Sequence, residues 1–490
     1  NLRLNYVCIP FDQMPYATSL LQHNPRISDL FECIDPSNRE HEFFSRKIQT
    51  NTENNGQLYT HKDEVSNFKN IDLFKKGLKM KATTKQSIAN ITHMVLISMW
   101  FIMLFLVSIN IIYKINEAII ALFIYTIFLL IFYRKKVDIN LELLVLFIFG
   151  TAYFFVYVSY EPYSPRTFVM FWLGAPAMYF IGKSAMTQQT KKLFKWVIYT
   201  MVLGLFTYGF LNMVIYLIEG TEDLDARWIY EFWEGHQLVA TLQGVYFTAI
   251  GSLLLYNLLY WKWFKHFHFK ILHFLAIAVS IYFSILLENR TYFFLMILVF
   301  FIVLLVELIL SKRKFIYPLF VATVFIGILY FSYQYDVFGI QTYITQTDWY
   351  ERFTRMLEAG LLNDPRFPVY AIVREEFFTY PLGGFQMNIG LDYAHNLWLD
   401  VLYAVGIYPF FILSFYTLLI LSTLTQLLLS KHIKKEHKIL YVSVFIGLLI
   451  NFMTEPILEG VPYIFLQFCL LNGLAYQYVK VSKPVGGDIS

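Results

Sequence analysis

The stretch Asp392-Tyr393-Ala394-His395-Asn396-Leu397-Trp398-Leu399-Asp400 sets one imidazole where a long extramembrane connection gives way to a hydrophobic helix. An imidazole titrates near pH ~6.5 and can take up or release a proton close to neutrality. At the edge of lipid an ionisable group costs desolvation energy, so it needs either a use or a partner. His395 is the candidate base; its plainer role is a hydrogen-bonded interface histidine beside Asn396, which is suited to cap the helix that follows. Two guanidinium groups join it. Arg290 lies in Leu287-Glu288-Asn289-Arg290-Thr291, a short turn between two apolar helices, and Arg366 lies in Asp364-Pro365-Arg366-Phe367-Pro368-Val369-Tyr370. Glu288 and Asp364 offer each a local ion-pair partner. The alternative is anion binding, because a planar guanidinium presents paired donors that match phosphate oxygens and stays charged at any relevant pH. A base with two arginines fits a reaction whose leaving group is a lipid-bound phosphate or pyrophosphate. Arg352, Arg355 and Arg374 are weaker candidates, since Glu351, Glu358, Glu375 and Glu376 stand close to them in sequence.

Other patterns carry less. Asp223-Leu224-Asp225 could hold a divalent cation for a metal-dependent sugar transferase, but a short acidic motif also reads as a solvated loop. His266, His268 and His273 have no carboxylate or thiolate cluster nearby to complete a metal site. Cys8, Cys33 and Cys469 form no CxxC pair. There is no phosphate-binding glycine loop, so neither an ATP-driven pump nor a nucleotide-binding enzyme is indicated, and no cofactor or nucleic-acid partner is expected.

The elements that must position these residues are membrane helices. Of 490 residues 57% are hydrophobic and 15% charged, and the mean hydropathy is +0.51, which excludes an ordinary soluble enzyme. A bilayer core of ~30 Å needs ~20 apolar residues per crossing. Twelve spans are predicted at 93–113, 117–133, 141–159, 165–183, 193–218, 238–260, 271–287, 291–310, 315–333, 397–430, 439–453 and 463–480. Basic connections (Arg134 to Lys136, Lys183 to Lys195, Lys262 to Lys270, Lys312 to Lys314, Lys431 to Lys438) fall at every second turn, which predicts that they and both termini are cytoplasmic. The predicted fold is an all-α polytopic membrane protein of about 12 transmembrane helices over residues 91–480. A large external loop, 334–396, follows the ninth. Within that loop, apolar residues at near-helical spacing (Trp349, Tyr350, Phe353, Met356, Leu357, then Val369, Ile372, Val373, Phe377) predict two amphipathic helices. Residues 1–90 are polar and lack a membrane-length apolar run; 1–79 are expected to be an appendage ahead of a start near Met80, and 481–490 a short cytoplasmic tail.

The order of these features resembles the O-antigen ligase and O-antigen polymerase superfamily. The resemblance rests on Asn289-Arg290, Arg366 with Tyr370, Pro381-Leu382-Gly383-Gly384, Ala394-His395-Asn396 and Gly406, with Glu288 and Pro409 departing from the usual pattern. It implies a GT-C-like glycosyltransferase that moves an oligosaccharide from undecaprenyl pyrophosphate to an acceptor hydroxyl at the outer face, without a metal and with inversion. His395 would be the base and Arg290 and Arg366 the pyrophosphate clamp, supported by Asn396, Glu288 and Tyr370. The implied partners are the lipid-linked glycan donor, a glycan or cell-envelope acceptor, and membrane lipid. A polysaccharide flippase is the rival, because twelve spans with both ends inside is also a transporter plan.

Overall fold

A computed structural model of the chain describes residues 91–111, 115–133, 138–160, 168–187, 190–219, 228–233, 235, 237–260, 267–311, 316–360 and 366–483. Residues 1–90, with Met80, lie outside the described residues, as do Asp223, Asp225 and Asp364. All described residues belong to one compact unit, Ala89–Ser490.

The unit is built almost wholly from helices. In chain order they are α1 (Ile91–Ser108), α2 (Ile115–Phe132), α3 (Leu141–Tyr160), a π-helical turn (Phe168–Gly174) leading into α4 (Ala175–Ala185), and α5 (Phe194–Glu219). After a two-stranded antiparallel hairpin of β1 (Trp228–Tyr230) and β2 (Gln237–Val239) come α6 (Ala240–Gly251), α7 (Leu254–Leu259), α8 (Phe267–Leu286), α9 (Arg290–Ser311) and α10 (Ile316–Gln334). Three shorter helices follow, α11 (Ile340–Thr345), α12 (Asp348–Ala359) and α13 (Arg366–Glu376). The chain closes with α14 (Leu397–Val405), α15 (Ile407–Leu429), α16 (Lys435–Phe452), α17 (Ile457–Gly460) and α18 (Pro462–Ser482).

Helix α9 shows why these sequences need lipid. Tyr292, Leu295, Val299 and Val303 are buried against the bundle, while Phe294, Ile297, Phe301, Leu305 and Ile309 run along the opposite face, each more than half exposed. Both faces of a helical period are apolar, so one packs on protein and the other has only a membrane to face. Among the described residues, seven helical stretches are long and apolar enough to cross a membrane: Ile91–Ser108, Leu141–Tyr160, Lys191–Ile218, Ala240–Leu259, Arg290–Ser311, Ile316–Gln334 and Ile407–Leu429. Asn116–Phe132 and Ile271–Leu286 are shorter apolar helices. The chain thus has the make-up of a helical membrane protein. The stretches 439–453 and 463–480 are helical too, but α16 and α18 lie inside the bundle and bury polar side chains such as Ser443, Asn451, Gln467 and Asn472. A helix surrounded by protein does not need a lipid-facing surface, and these two fall short of the apolarity of a span.

Close packing at the centre depends on glycine. Helices α4 and α18 meet so tightly that a Cβ at Gly182 would overlap the Leu470 carbonyl oxygen, and one at Gly473 would overlap that of Tyr179. Small residues let two backbones approach where lipid supplies no hydrophobic drive to bring helices together.

One predicted span needs correction. Residues 397–430 are not a single rod: at Gly406 the backbone takes φ +84 and the chain reverses. Trp398 Nε1 donates to Thr417 Oγ1 at 3.0 Å, whereas 19 residues apart in one continuous helix they would be separated by ~28 Å. Helix α14 therefore runs back alongside α15, and its first turn is level with the middle of α15. An average hydropathy cannot detect this, since both arms are apolar.

The charges divide between the ends of the bundle. At one end Lys183 and Lys480 both pair with Asp138, and Lys435 pairs with Glu307 at 2.5 Å. The opposite end carries the turn before α9, helices α11 to α13, and the loop that leads into α14.

Candidate functional site

His395 sits in a turn made by its neighbours. The Asp400 carboxylate accepts the Ala394 amide at 2.7 Å and the Asn396 amide at 3.1 Å, bracketing the histidine from both sides. Asn396 in turn caps α14, its Oδ1 accepting the amides of Trp398 and Leu399 at 3.2 and 3.3 Å. With both flanking amides fixed, His395 is held at φ +56, a left-handed conformation that is uncommon outside glycine and that Asn, Asp and His adopt more readily than other residues. Backbone outliers held in place by surrounding bonds cluster at functional sites. The His395 side chain is half-buried and Asp400 is fully buried.

Helix α13 packs onto this turn. Arg366 and Tyr370 are four residues apart, on one face of the helix. Tyr370 Oη donates to the carbonyl oxygens of His395 (3.4 Å) and Met453 (3.3 Å), and Asn396 Nδ2 also reaches the Met453 carbonyl at 3.5 Å. One turn earlier on α13, Arg366 Nη2 lies 3.4 Å from Glu455 Oε1. Arg366, Tyr370, His395 and Asn396 thus share one corner, closed by the turn after α16.

Arg290 makes a different contact. Its Nη1 donates to the Arg352 carbonyl oxygen of α12 at 2.9 Å, and Arg352 Nε pairs with Glu288 Oε2 at 2.6 Å. Trp349 of α12 packs edge-on against Phe293 of α9, with ring centres 4.9 Å apart. Asn289 is the buried cap of α9, accepting the Tyr292 amide at 3.0 Å and donating to the Ala240 carbonyl at 2.9 Å. Glu288 therefore pairs with Arg352 in this arrangement, and Arg366 with the distant Glu455. Arg355 and Arg374 pair with the sequence neighbours Glu351 and Glu375, as expected of them.

Several residues at this corner have no counterpart among the sequence candidates. Glu455 is almost fully buried, and Glu459, one turn on, accepts Tyr153 Oη at 2.6 Å and Tyr157 Oη at 3.3 Å. The signal available was two carboxylates four residues apart, flanking Pro456 in a short connection between apolar helices. Asp400 could have been found by its four-residue spacing from Asn396. The Gly383-Gly384 stretch threads between elements: Ile407 N donates to the Pro381 carbonyl at 2.9 Å, and Gly384 N to the Ala404 carbonyl at 2.8 Å. A Cβ at Gly383 would overlap the Gly406 and Val405 amide nitrogens, and the residue is held at φ +73.

Among the described residues, no group of three or more His, Cys, Asp or Glu is arranged to hold a metal ion. No protein-family model matches the chain, and no curated protein matches it. The functional reading therefore rests on the residues themselves.

Proposed function

We propose that this protein is a membrane glycosyltransferase of the O-antigen ligase/polymerase type. It transfers an oligosaccharide from undecaprenyl pyrophosphate to an acceptor hydroxyl at the outer face of the cytoplasmic membrane. In this reading the bundle is GT-C-like, crosses the bilayer with both termini inside, and presents the α11–α13 segment outside. The observation that carries it is the meeting of Arg366, Tyr370 and His395 at one corner, from α13 and the turn before α14. A proton acceptor and a permanent cation within a few residues' reach suit displacement of a charged leaving group.

The chemistry balances with these groups alone. The acceptor oxygen attacks the anomeric carbon, its proton passes to the His395 imidazole, and the carbon–oxygen bond to pyrophosphate breaks with its electron pair leaving on the phosphate. Attack opposite the leaving group inverts the anomeric centre. Arg366 and Arg290 neutralise the departing charge, and the diphosphate, with more charge than one carboxylate, competes with Glu455 for Arg366. The basic end of the bundle then faces the cytoplasm.

The test is reconstitution with native lipid-linked oligosaccharide. A product ladder identifies a polymerase, and a single shift on a separate acceptor identifies a ligase. His395→Asn tolerates the left-handed backbone but is no base at neutral pH, so it should lower turnover by about 10²-fold or more while the protein stays folded. Arg366→Ala and Arg290→Ala should also abolish transfer. Wild-type turnover in His395→Asn would remove the histidine from the mechanism.

A further inference from the structure

Beside the His395 corner is a second group of side chains that the proposed proton transfer and charge neutralisation do not use. Glu459 accepts hydrogen bonds from Tyr153 and Tyr157, and the two tyrosine rings lie nearly parallel at 16°, 5.7 Å apart. Phe171 sits against both, 4.9 Å from Tyr153 and 5.1 Å from Tyr157. The π-helical turn Phe168–Gly174 carries Phe171, and such turns recur at functional sites because they shift one side chain out of helical register. Phe385 completes the wall, edge-on to Tyr157 at 6.5 Å and to Tyr403 at 5.2 Å. It is held at φ +57, directly after the double glycine that packs on Tyr160. Tyr153 is buried, whereas Glu459, Tyr157, Phe171 and Phe385 are all half-buried. The group lies within electrostatic reach of Asp400, whose carboxylate brackets His395.

We propose that Glu459, Tyr157, Phe171 and Phe385 form a sugar subsite that takes a hydroxylated pyranose ring of the glycan. The inference rests on the glycosyltransferase reading and extends it. A carboxylate accepts two sugar hydroxyls through charge-assisted bonds, and flat aromatic faces cover the apolar C–H face of a pyranose. Tyr157, backed by the buried Tyr153, offers with Phe171 and Phe385 an open aromatic wall rather than the enclosure that a quaternary ammonium group needs. The charges also set polarity: Glu459 repels a diphosphate, which the arginines attract, so a glycan carried on a diphosphate enters with its sugar on the Glu459 side.

The subsite can be tested without turnover. The full chain is placed in phosphatidylcholine nanodiscs, free of sugar-headed detergent, and saturation-transfer NMR is recorded with methyl glycosides of glucose, galactose and N-acetylglucosamine. Wild-type protein should transfer saturation to the ring protons of at least one glycoside, and Glu459→Gln and Phe385→Leu should each weaken that signal about fivefold or more; Tyr157→Phe, which keeps the ring, should weaken it less. No transfer from any glycoside, equal signals in all variants, or a signal from choline chloride alone overturns the subsite. With the lipid-linked donor, Phe385→Leu should raise KM about tenfold and leave kcat within about twofold. Glycoside binding without any wild-type turnover sinks the transferase reading and keeps the subsite. Turnover with KM unchanged in the variants sinks the subsite alone.

Discussion

Asp400 and Asn396 hold each other across the first turn of α14: the carboxylate accepts the Asn396 amide at 3.1 Å, and the Asn396 side chain caps the helix that carries Asp400. The same carboxylate takes the Ala394 amide, so the backbone on both sides of His395 is tied to one buried side chain. Asp400→Asn turns one acceptor oxygen into a donor facing an amide N–H. Loss of one buried bond of this kind costs about 1–3 kcal/mol. A lower thermal midpoint, with turnover falling further than the midpoint alone explains, is the expected outcome; an unchanged midpoint would show that the bracket is dispensable.

Gly406 is the point where the chain reverses. An added Cβ would overlap the Pro381 carbonyl oxygen and the Leu382 backbone, and φ +84 is itself unfavourable for any other residue. Gly406→Ala should destabilise the protein by about 1–3 kcal/mol, read as a drop in thermal unfolding temperature.

The α4–α18 crossing should be equally intolerant. Gly473→Val drives a branched side chain into the Tyr179 backbone, and folded yield after membrane extraction should collapse. Gly327 of α10 has open space around its Cβ position and provides the control. Gly327→Val should extract at wild-type levels.

Helix α12 is fastened to the start of α9 by Arg352 with Glu288 and by Arg290 with the Arg352 carbonyl. A charge-assisted bond of this kind contributes about 1.5–3 kcal/mol. Arg352→Ala should therefore speed amide hydrogen exchange over 348–359 by about tenfold or more. Exchange at the wild-type rate would mean that the packing of Trp349 and Phe353 alone holds the helix.

Much of the helical plan was legible because hydropathy and period are local properties. Each of the twelve apolar stretches overlaps helix among its described residues, though 238–260 begins in β2 and 397–430 breaks at Gly406; α12 and α13 occupy the amphipathic stretches, and Asn396 caps α14 as its side-chain chemistry implies. What could not be read depends on distance. Local rules offered Arg352 the nearby Glu351 and Glu358; the folded chain gives it Glu288, on the turn before α9. Arg366 and Glu455 meet across 89 residues, and nothing in either neighbourhood announces the other. The hairpin strand pair between α5 and α6 was hidden in a connection whose acidity dominated its reading.

The reversal at Gly406 also bears on side reactions. For a donor activated by a diphosphate, water is the competing nucleophile and outnumbers any sugar hydroxyl. The fold back at Gly406 sets the turn that carries the half-buried His395 level with the middle of α15, partly withdrawn from bulk solvent. In the proposed glycosyl transfer, this placement would limit wasteful hydrolysis and conserve the activated bond for chain growth or attachment.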